Sequence, residues 1–575
     1  MKPSTHEDYM KTNSKSEKKL LIQFKPWAST CCIALMLLLP LGVRGGGVVT
    51  DCTESNLRTA MAGGGTVTFA CDGTITLANT LTVATDTVLD ASGRQISISG
   101  GNAVTVLHVN PNVTVSLINL TICSGKTPNG ANGTQLGMNG GPGGPGGGIY
   151  NAGTLTLLNC CVNSNYTGYG GYANGDKGIY PVGGAGGPGG GVYNTGTLTL
   201  SNSMVSGNAT GSGGASGGFT WYPAGGDGGY GGGIYSSGVL RMESSTVCSN
   251  TTGIGPNNAM RGPGANGGAG GGVWSGGTLS ANGCTLNDNA TGNGGNGGPS
   301  DMNGGQGGAG GSGGAIWSAG ASVLTNCSFS RNSTGNGGSG GSGWHGSNGA
   351  NGPAGVGAGL YNQSNLTLVN CTVTTNRIGG GVNNATGSTW LLNTIVALNS
   401  GNLRDVAGIF VSLGHNLIGV SDGSSGFTAA GDLVGSAASP IDPKLGPLAT
   451  NGGPTLTVAL LSGSPAIDSG ATTGAPDTDQ RGIARPQGRG VDIGFYEFQF
   501  SIPQITAAAF QSAANFWLQS CGLPNQNYTV QTSTNLLDWS DAMNILTDSN
   551  GVCEFIDGNL GQCATRFYRL KTSAP

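Results

Sequence analysis

The sequence predicts an all-β chain: a parallel β-helix solenoid with glycine-rich insertions and a small β domain near its C-terminal end. Three observations carry this. The phrase "GGGIYNAGTLTLLN" at 146–159 returns as "GGGVYNTGTLTLSN" at 189–202. The aromatic after the glycines marks each copy, as Tyr150, Tyr193, Tyr235, Trp274, Trp317 and Tyr361, at intervals of 43, 42, 39, 43 and 44 residues. An asparagine follows each marker by 15 residues, as Asn165, Asn208, Asn250, Asn289, Asn332 and Asn376. A fixed internal period is the signature of a repeat architecture.

The unit itself is shorter than the interval. "GGGVNN" at 379–384 puts Asn383 just 22 residues after Tyr361, and its own asparagine, Asn399, comes one residue later than the offset predicts. The longer units are therefore 22-residue coils carrying a glycine-rich insertion between the asparagine and the next "GGG".

Taken in order, residues 1–45 hold a basic cluster, "KSEKKLLIQFK", and an apolar run at 27–43. The pattern reads as a secretory signal, with an uncleaved membrane anchor through 27–43 as the alternative. Either way the rest of the chain is expected outside the cytoplasm, secreted or at the cell surface. Export permits disulfides, and Cys52 with Cys71 is the candidate pair, flanking a short helix and a strand. Residues 46–125 are read as an N-terminal cap and first coils, and 126–400 as the repeated coils.

Within a coil, Leu155 and Leu157 fall on one face of an alternating strand, as Leu198 and Leu200 do one coil later. Val162, Val205, Val247, Leu286, Phe329 and Val373 form a second inward stack. Coils rise by about 4.8 Å, so like residues stack on like and asparagine amides can bond above and below. A second asparagine column is expected at Asn159, Asn202, Asn326, Asn370 and Asn393, interrupted by Ser244 and Gly283. Beside it runs a small-residue column, Cys160, Ser203, Ser245, Cys284, Cys327, Cys371 and Thr394. It reads as buried packing, because cysteine, serine and threonine exchange freely there. The glycines, 114 of 575 residues, are read as having no G-X-Y period, which excludes collagen. Charged residues are 9% and the net charge is -4, so there is no basic footprint for nucleic acid.

"GGGIY" followed by "NCCVNSN" resembles the repeats of bacterial right-handed parallel β-helix surface proteins, including the polymorphic outer-membrane proteins. "LGHNLIG", "IDPKLGPLATNGGPT", "LLSGSPAIDSG", "TDQRGIARP" and "VDIGFYEF", within 401–498, resemble the choice-of-anchor Q domain that closes many secreted bacterial β-helix proteins. The chain lacks the LPxTG motif or terminal hydrophobic helix seen in many of these. The tail, 499–575, alternates as a β-sandwich-like module and resembles a C-terminal module of secreted proteins from Verrucomicrobia-like bacteria. The resemblance implies a surface location.

Catalytic signals are sparse. No carboxylate column recurs, no metal-ligand spacing occurs and no cofactor motif stands out. The dense charged set Asp468, Asp477, Asp479, Arg481, Arg485, Asp492 and Glu497 reads as an ion-pair network closing the solenoid. The insertions carry Tyr169, Tyr172, Tyr180, Phe219, Trp221, Tyr222, Trp344 and His345. These are expected to emerge on one flank, coil after coil, where aromatic faces dock polysaccharide or surface proteins. The function this supports is a structural or adhesive protein of the bacterial surface. The alternative is a carbohydrate-active enzyme, a lyase or hydrolase, on the same scaffold.

Overall fold

The computed structural model describes residues 46–572 apart from 176–179, 218–223, 259–260, 402–403, 500–502, 513–514, 523–525, 549–551 and 559–564. Residues 27–43, and with them the signal or anchor, lie outside the described residues. Among the described residues no helix is long and apolar enough to cross a membrane.

Each coil contributes one strand to each of three parallel sheets. In the first full repeat these are Ile149–Asn151, Thr154–Leu158 and Cys161–Asn163. We call the stacks the lead, middle and trailing sheets; they hold 11, 12 and 12 strands. The marker aromatics pair in register, Tyr150 with Tyr193, Tyr193 with Tyr235, and so on to Tyr361 with Asn383. A 43-residue unit and the 22-residue unit thus advance the stack equally, by one strand.

Alternation puts three apolar columns inside. Ile149, Val192, Ile234, Val273, Ile316 and Leu360 line the lead side, and the predicted leucine and valine stacks line the other two. Val162, Val205, Val247, Leu286, Phe329 and Val373 are each at most 1% exposed. Full burial of such a side chain stabilises by roughly 1.5–3 kcal/mol, and the columns extend through every coil.

Corners decide whether strands can stack. After the trailing strand, Asn165 Nδ2 donates to Asn208 Oδ1 at 2.9 Å, and the chain of amides continues through Asn250, Asn289, Asn332 and Asn376 to Asn399. Each of these Oδ1 atoms also accepts the backbone N–H of the asparagine one coil before. The ladder ends where Asn399 Nδ2 meets Asp405 Oδ1 at 2.9 Å. The glycines that follow fit around it: Gly146 has φ +72°, and a Cβ on Gly148 would strike the Asn165 amide.

The second asparagine column does something else. Asn159, Asn202, Ser244, Gly283, Asn326, Asn370 and Asn393 all have φ between 46° and 64°. They are chosen for the left-handed turn between middle and trailing strands, which asparagine tolerates and glycine adopts freely. That explains the serine and glycine exchanges. A side-chain bond within this column forms between Asn393 and Asn370, at 3.2 Å. A partial second ladder lies elsewhere, at the residue after the marker: Asn151 donates to Asn194 Oδ1 at 2.7 Å, Asn194 to Ser236 Oγ at 2.9 Å and Asn362 to Asn384 Oδ1 at 2.9 Å, while Ser275 and Ser318 make no bond along it.

The described residues of the insertions form stacked layers with a local three-residue glycine period, where the sequence reading expected none, and they run out and back as extended legs. In the second insertion, Gly168 donates to Thr127 Oγ1, Gly171 to Gly141 O, Gly184 to Gly171 O and Gly187 to Gly168 O, at 2.7–3.0 Å. Gly170 and Ala173 donate to Ser212 O and Ala215 O of the next coil. Tyr169 and Tyr172 N–H groups reach Asn129 and Asn132 Oδ1 of the coil before. Three residues per turn with every bond directed sideways is polyproline II geometry. Neighbouring legs approach so closely that a Cβ on Gly184 would fall on the Gly141 carbonyl.

A threonine two residues after each of the ladder asparagines from Asn165 to Asn332 joins coil to insertion. Thr167 Oγ1 donates to Gly187 O at 2.6 Å and accepts from Gly211 N at 2.9 Å. Thr210, Thr252 and Thr291 repeat both bonds.

At the N-terminal end, helix α1, Glu54–Met61, buries Leu57 and Met61 against the first coil. Thr53 caps it, and Cys52 is disulfide-bonded to Cys71. At the other end solenoid strands continue to Leu433–Val434, beyond residue 400. The closing segment then does more than cap. It folds back over the trailing sheet, so that Leu456 O accepts from Thr285 Oγ1 at 2.6 Å, Thr478 O from Asn326 Nδ2 at 2.8 Å and Ala471 O from Asn393 Nδ2 at 2.8 Å. Outward residues of the trailing strands are part-exposed at 161–163 and 246–248 but buried at 285–287, 328–330 and 372–374. The tail forms two three-stranded antiparallel sheets around Leu518, Tyr528, Val530 and Phe555.

Replacing Asn250 with leucine strands an amide acceptor, an amide donor and a backbone N–H in neighbouring coils. The expected loss is about 2–4 kcal/mol, read as a lower urea midpoint. Gly184→Ala should disorder the insertion, visible as faster amide exchange across 168–187. Gly207→Asn, at φ +62° with open space around it, should leave both readings unchanged or slightly raised.

Candidate functional site

The structure distributes the insertion aromatics among separate layers. Tyr169 and Tyr172 lie three residues apart on the outgoing leg of the second insertion, 56% and 45% exposed. With three residues per turn they share one face, and Tyr166, at 42% exposure, extends the row. Tyr166 was not singled out from sequence, although the spacing 166, 169, 172 was there to be seen. The row runs along a leg, with Asn129 and Asn132 on one side and Ser212 and Ala215 on the other. Tyr180 is exposed within the same insertion. Trp344, 78% exposed, and His345 sit in the last long insertion, held by bonds from their N–H groups to Ser300 O and Asp301 O. Phe219, Trp221 and Tyr222 lie outside the described residues. The described aromatics therefore occupy two of the stacked layers, the second and the last long insertion.

The column that does run coil after coil is made of the markers. His108, Tyr150, Tyr193, Tyr235, Trp274, Trp317 and Tyr361 stack on the outer face of the lead sheet, with ring centroids 4.3–6.2 Å apart. Their faces are spent on one another and their edges meet solvent. Burial pushes the Tyr193 and Tyr235 hydroxyls above the usual tyrosine range, with the neighbouring tyrosine adding to it. His108 closes this stack on Tyr150, while His415 Nδ1 sits 2.7 Å from Ser469 O.

The small-residue column is buried. Cys160, Cys284, Cys327 and Cys371 are at most 3% exposed and unpaired. Burial pushes Cys160 up to about 11 and holds Cys284 and Cys327 above the ordinary thiol range, so these thiols stay protonated. Among the described residues no group of three or more His, Cys, Asp or Glu side chains is placed to hold a metal ion.

The charged set of the closing segment is an interior network. Arg481 pairs with Asp479 and Arg485 with Glu497, both at 2.7 Å and all four side chains at most 4% exposed. The carboxylates are committed to backbone N–H groups: Glu497 to Gln487 and Asp492, Asp492 to Asp468 and Phe498, Asp479 to Arg481, Ile483 and Glu497. Asp468 accepts from Gly490 N, while Asp477 contributes its carbonyl to Arg485 N. These bonds tie the loops of 468–498 to one another.

Compared with known proteins, the chain matches no family model and no curated protein.

Burial, then the neighbouring Glu497 carboxylate, pushes Asp492 up to about 7, and burial also raises Glu497. A carboxyl raised on folding binds its proton more tightly in the folded state. Its contribution is complete below about pH 4 and lost as pH rises through about 7. The closing segment is therefore expected to weaken between pH 4 and 8, seen as a falling denaturation midpoint, and Asp492→Asn should flatten that slope.

Proposed function

We propose that this protein is an exported, non-catalytic scaffold of the bacterial surface, which displays its glycine-rich layers to polysaccharide or partner proteins. The observation that supports this best is the ordering of the insertions. Among the described residues their N–H groups are engaged layer to layer, so they present a fixed, sparsely charged surface dotted with exposed aromatics. A ligand meeting such a surface loses little affinity to ordering of the protein. The apolar run at 27–43 and the motifs resembling the choice-of-anchor Q domain support export and surface location.

Tyr166, Tyr169 and Tyr172 offer ring faces along one leg, spaced about 9 Å apart at 3.1 Å per residue. That spacing suits contact with successive parts of an extended chain. Trp344 offers a second, separate contact.

A glycan array probed with the exported chain should show retention without cleavage. Tyr169→Ala with Tyr172→Ala should weaken retention about three- to tenfold per ring lost, and Trp344→Ala should act independently. Unchanged binding to every glycan in the triple variant, or cleavage of any glycan, would sink the reading.

A further inference from the structure

The trailing sheet carries a feature that the display reading does not use. Where the hairpin Leu445–Ala449 and Thr457–Leu460 crosses the outer face of strands Ser328–Ser330 and Thr372–Thr374, it stands off the sheet. The gap is a cleft of about 390 Å³. Its floor includes Ser330 and Thr374, partners in register and each 1% exposed. Neither hydroxyl has a hydrogen-bond partner. Buried polar groups are nearly always satisfied, so two adjacent orphans in the floor of a cleft mark a place where something polar binds.

The charge at the rim is positive. Arg331 lines the cleft with Nε buried and unpartnered, while its Nη2 reaches Asp288 Oδ2 at 2.6 Å. Arg377 lines it too, exposed and without an ion pair among the described residues. Facing them are the apolar side chains of Leu448 and Val458.

Each part selects for a chemistry. A guanidinium donates a fork of N–H bonds that matches a carboxylate. Serine and threonine hydroxyls both donate and accept, which suits a hydroxylated partner. An apolar wall covers C–H surface, and the volume lies at the small end of ligand pockets. We propose that this cleft binds a sugar acid, one hydroxylated ring carrying a carboxylate. The site is separate from the insertions, so it stands or falls independently of their role.

The test is calorimetric titration of the full chain with glucuronate, glucose and butyrate. Glucuronate should bind saturably, glucose should not, and butyrate should bind more weakly than glucuronate. Arg377→Gln removes a solvent-exposed group and should cost about tenfold in affinity without altering the fold. Thr374→Val keeps the shape and removes one orphan hydroxyl, and should also weaken binding. No saturation by glucuronate, equal binding of butyrate, binding of glucose, or unchanged affinity in Arg377→Gln would overturn the proposal.

Discussion

The asparagine ladder is the constraint from which the rest of the coil follows. Turning a strand through a corner strands backbone polar groups inside the solenoid, where no water reaches them. One amide per coil resolves this by donating to the coil above and accepting from the coil below. It does so only when successive coils are in register. Register in turn superimposes the apolar columns, the small buried column and the marker rings. Asp405 belongs to the same logic: a ladder of amides must end on an acceptor, and its carboxylate accepts from the Asn399 side chain and backbone and from Val420 N.

The insertions extend that register sideways. Thr167, Thr210, Thr252 and Thr291, each two residues after a ladder asparagine, bond their own returning leg and the outgoing leg of the next coil, so the layers inherit the spacing of the solenoid. Glycine is needed where legs meet backbone to backbone; the third residue of each triplet points outward and is free to vary. Positions that build the layers and positions that point outward are thus separated residue by residue. The closing segment uses the other free face, and its buried ion pairs and loop hydrogen bonds lie against coils whose outer residues are threonine, serine and asparagine.

Much of the fold was legible in the sequence because stacking demands identity. Asn165 to Asn376 recur at a constant offset, and the short coil at 361–383 separated coil from insertion. What stayed hidden had physical reasons. The Asn151 ladder is masked because serine replaces asparagine at 236, 275 and 318 and the bonds along the stack lapse at the last two. The three-residue period of the insertions is spread over short legs with varied third residues. Fold-back of the closing segment pairs groups more than 100 residues apart, such as Gln480 with Thr285, and the outward threonines it covers look like ordinary solvent-facing positions. The cleft between Thr374 and Val458 arises from that same fold-back and could not be read from either strand alone.

The clamp threonine has a consequence for how the chain can be made. Asn165-Tyr166-Thr167, Asn208-Ala209-Thr210, Asn250-Thr251-Thr252, Asn289-Ala290-Thr291 and Asn332-Ser333-Thr334 each spell an acceptor for N-linked glycosylation. All five asparagines are 0% exposed in the folded coil. An oligosaccharide attached before folding would take an amide hydrogen from the ladder and add bulk where no surface exists. The stack therefore closes only along a biosynthetic route that leaves these five triplets bare.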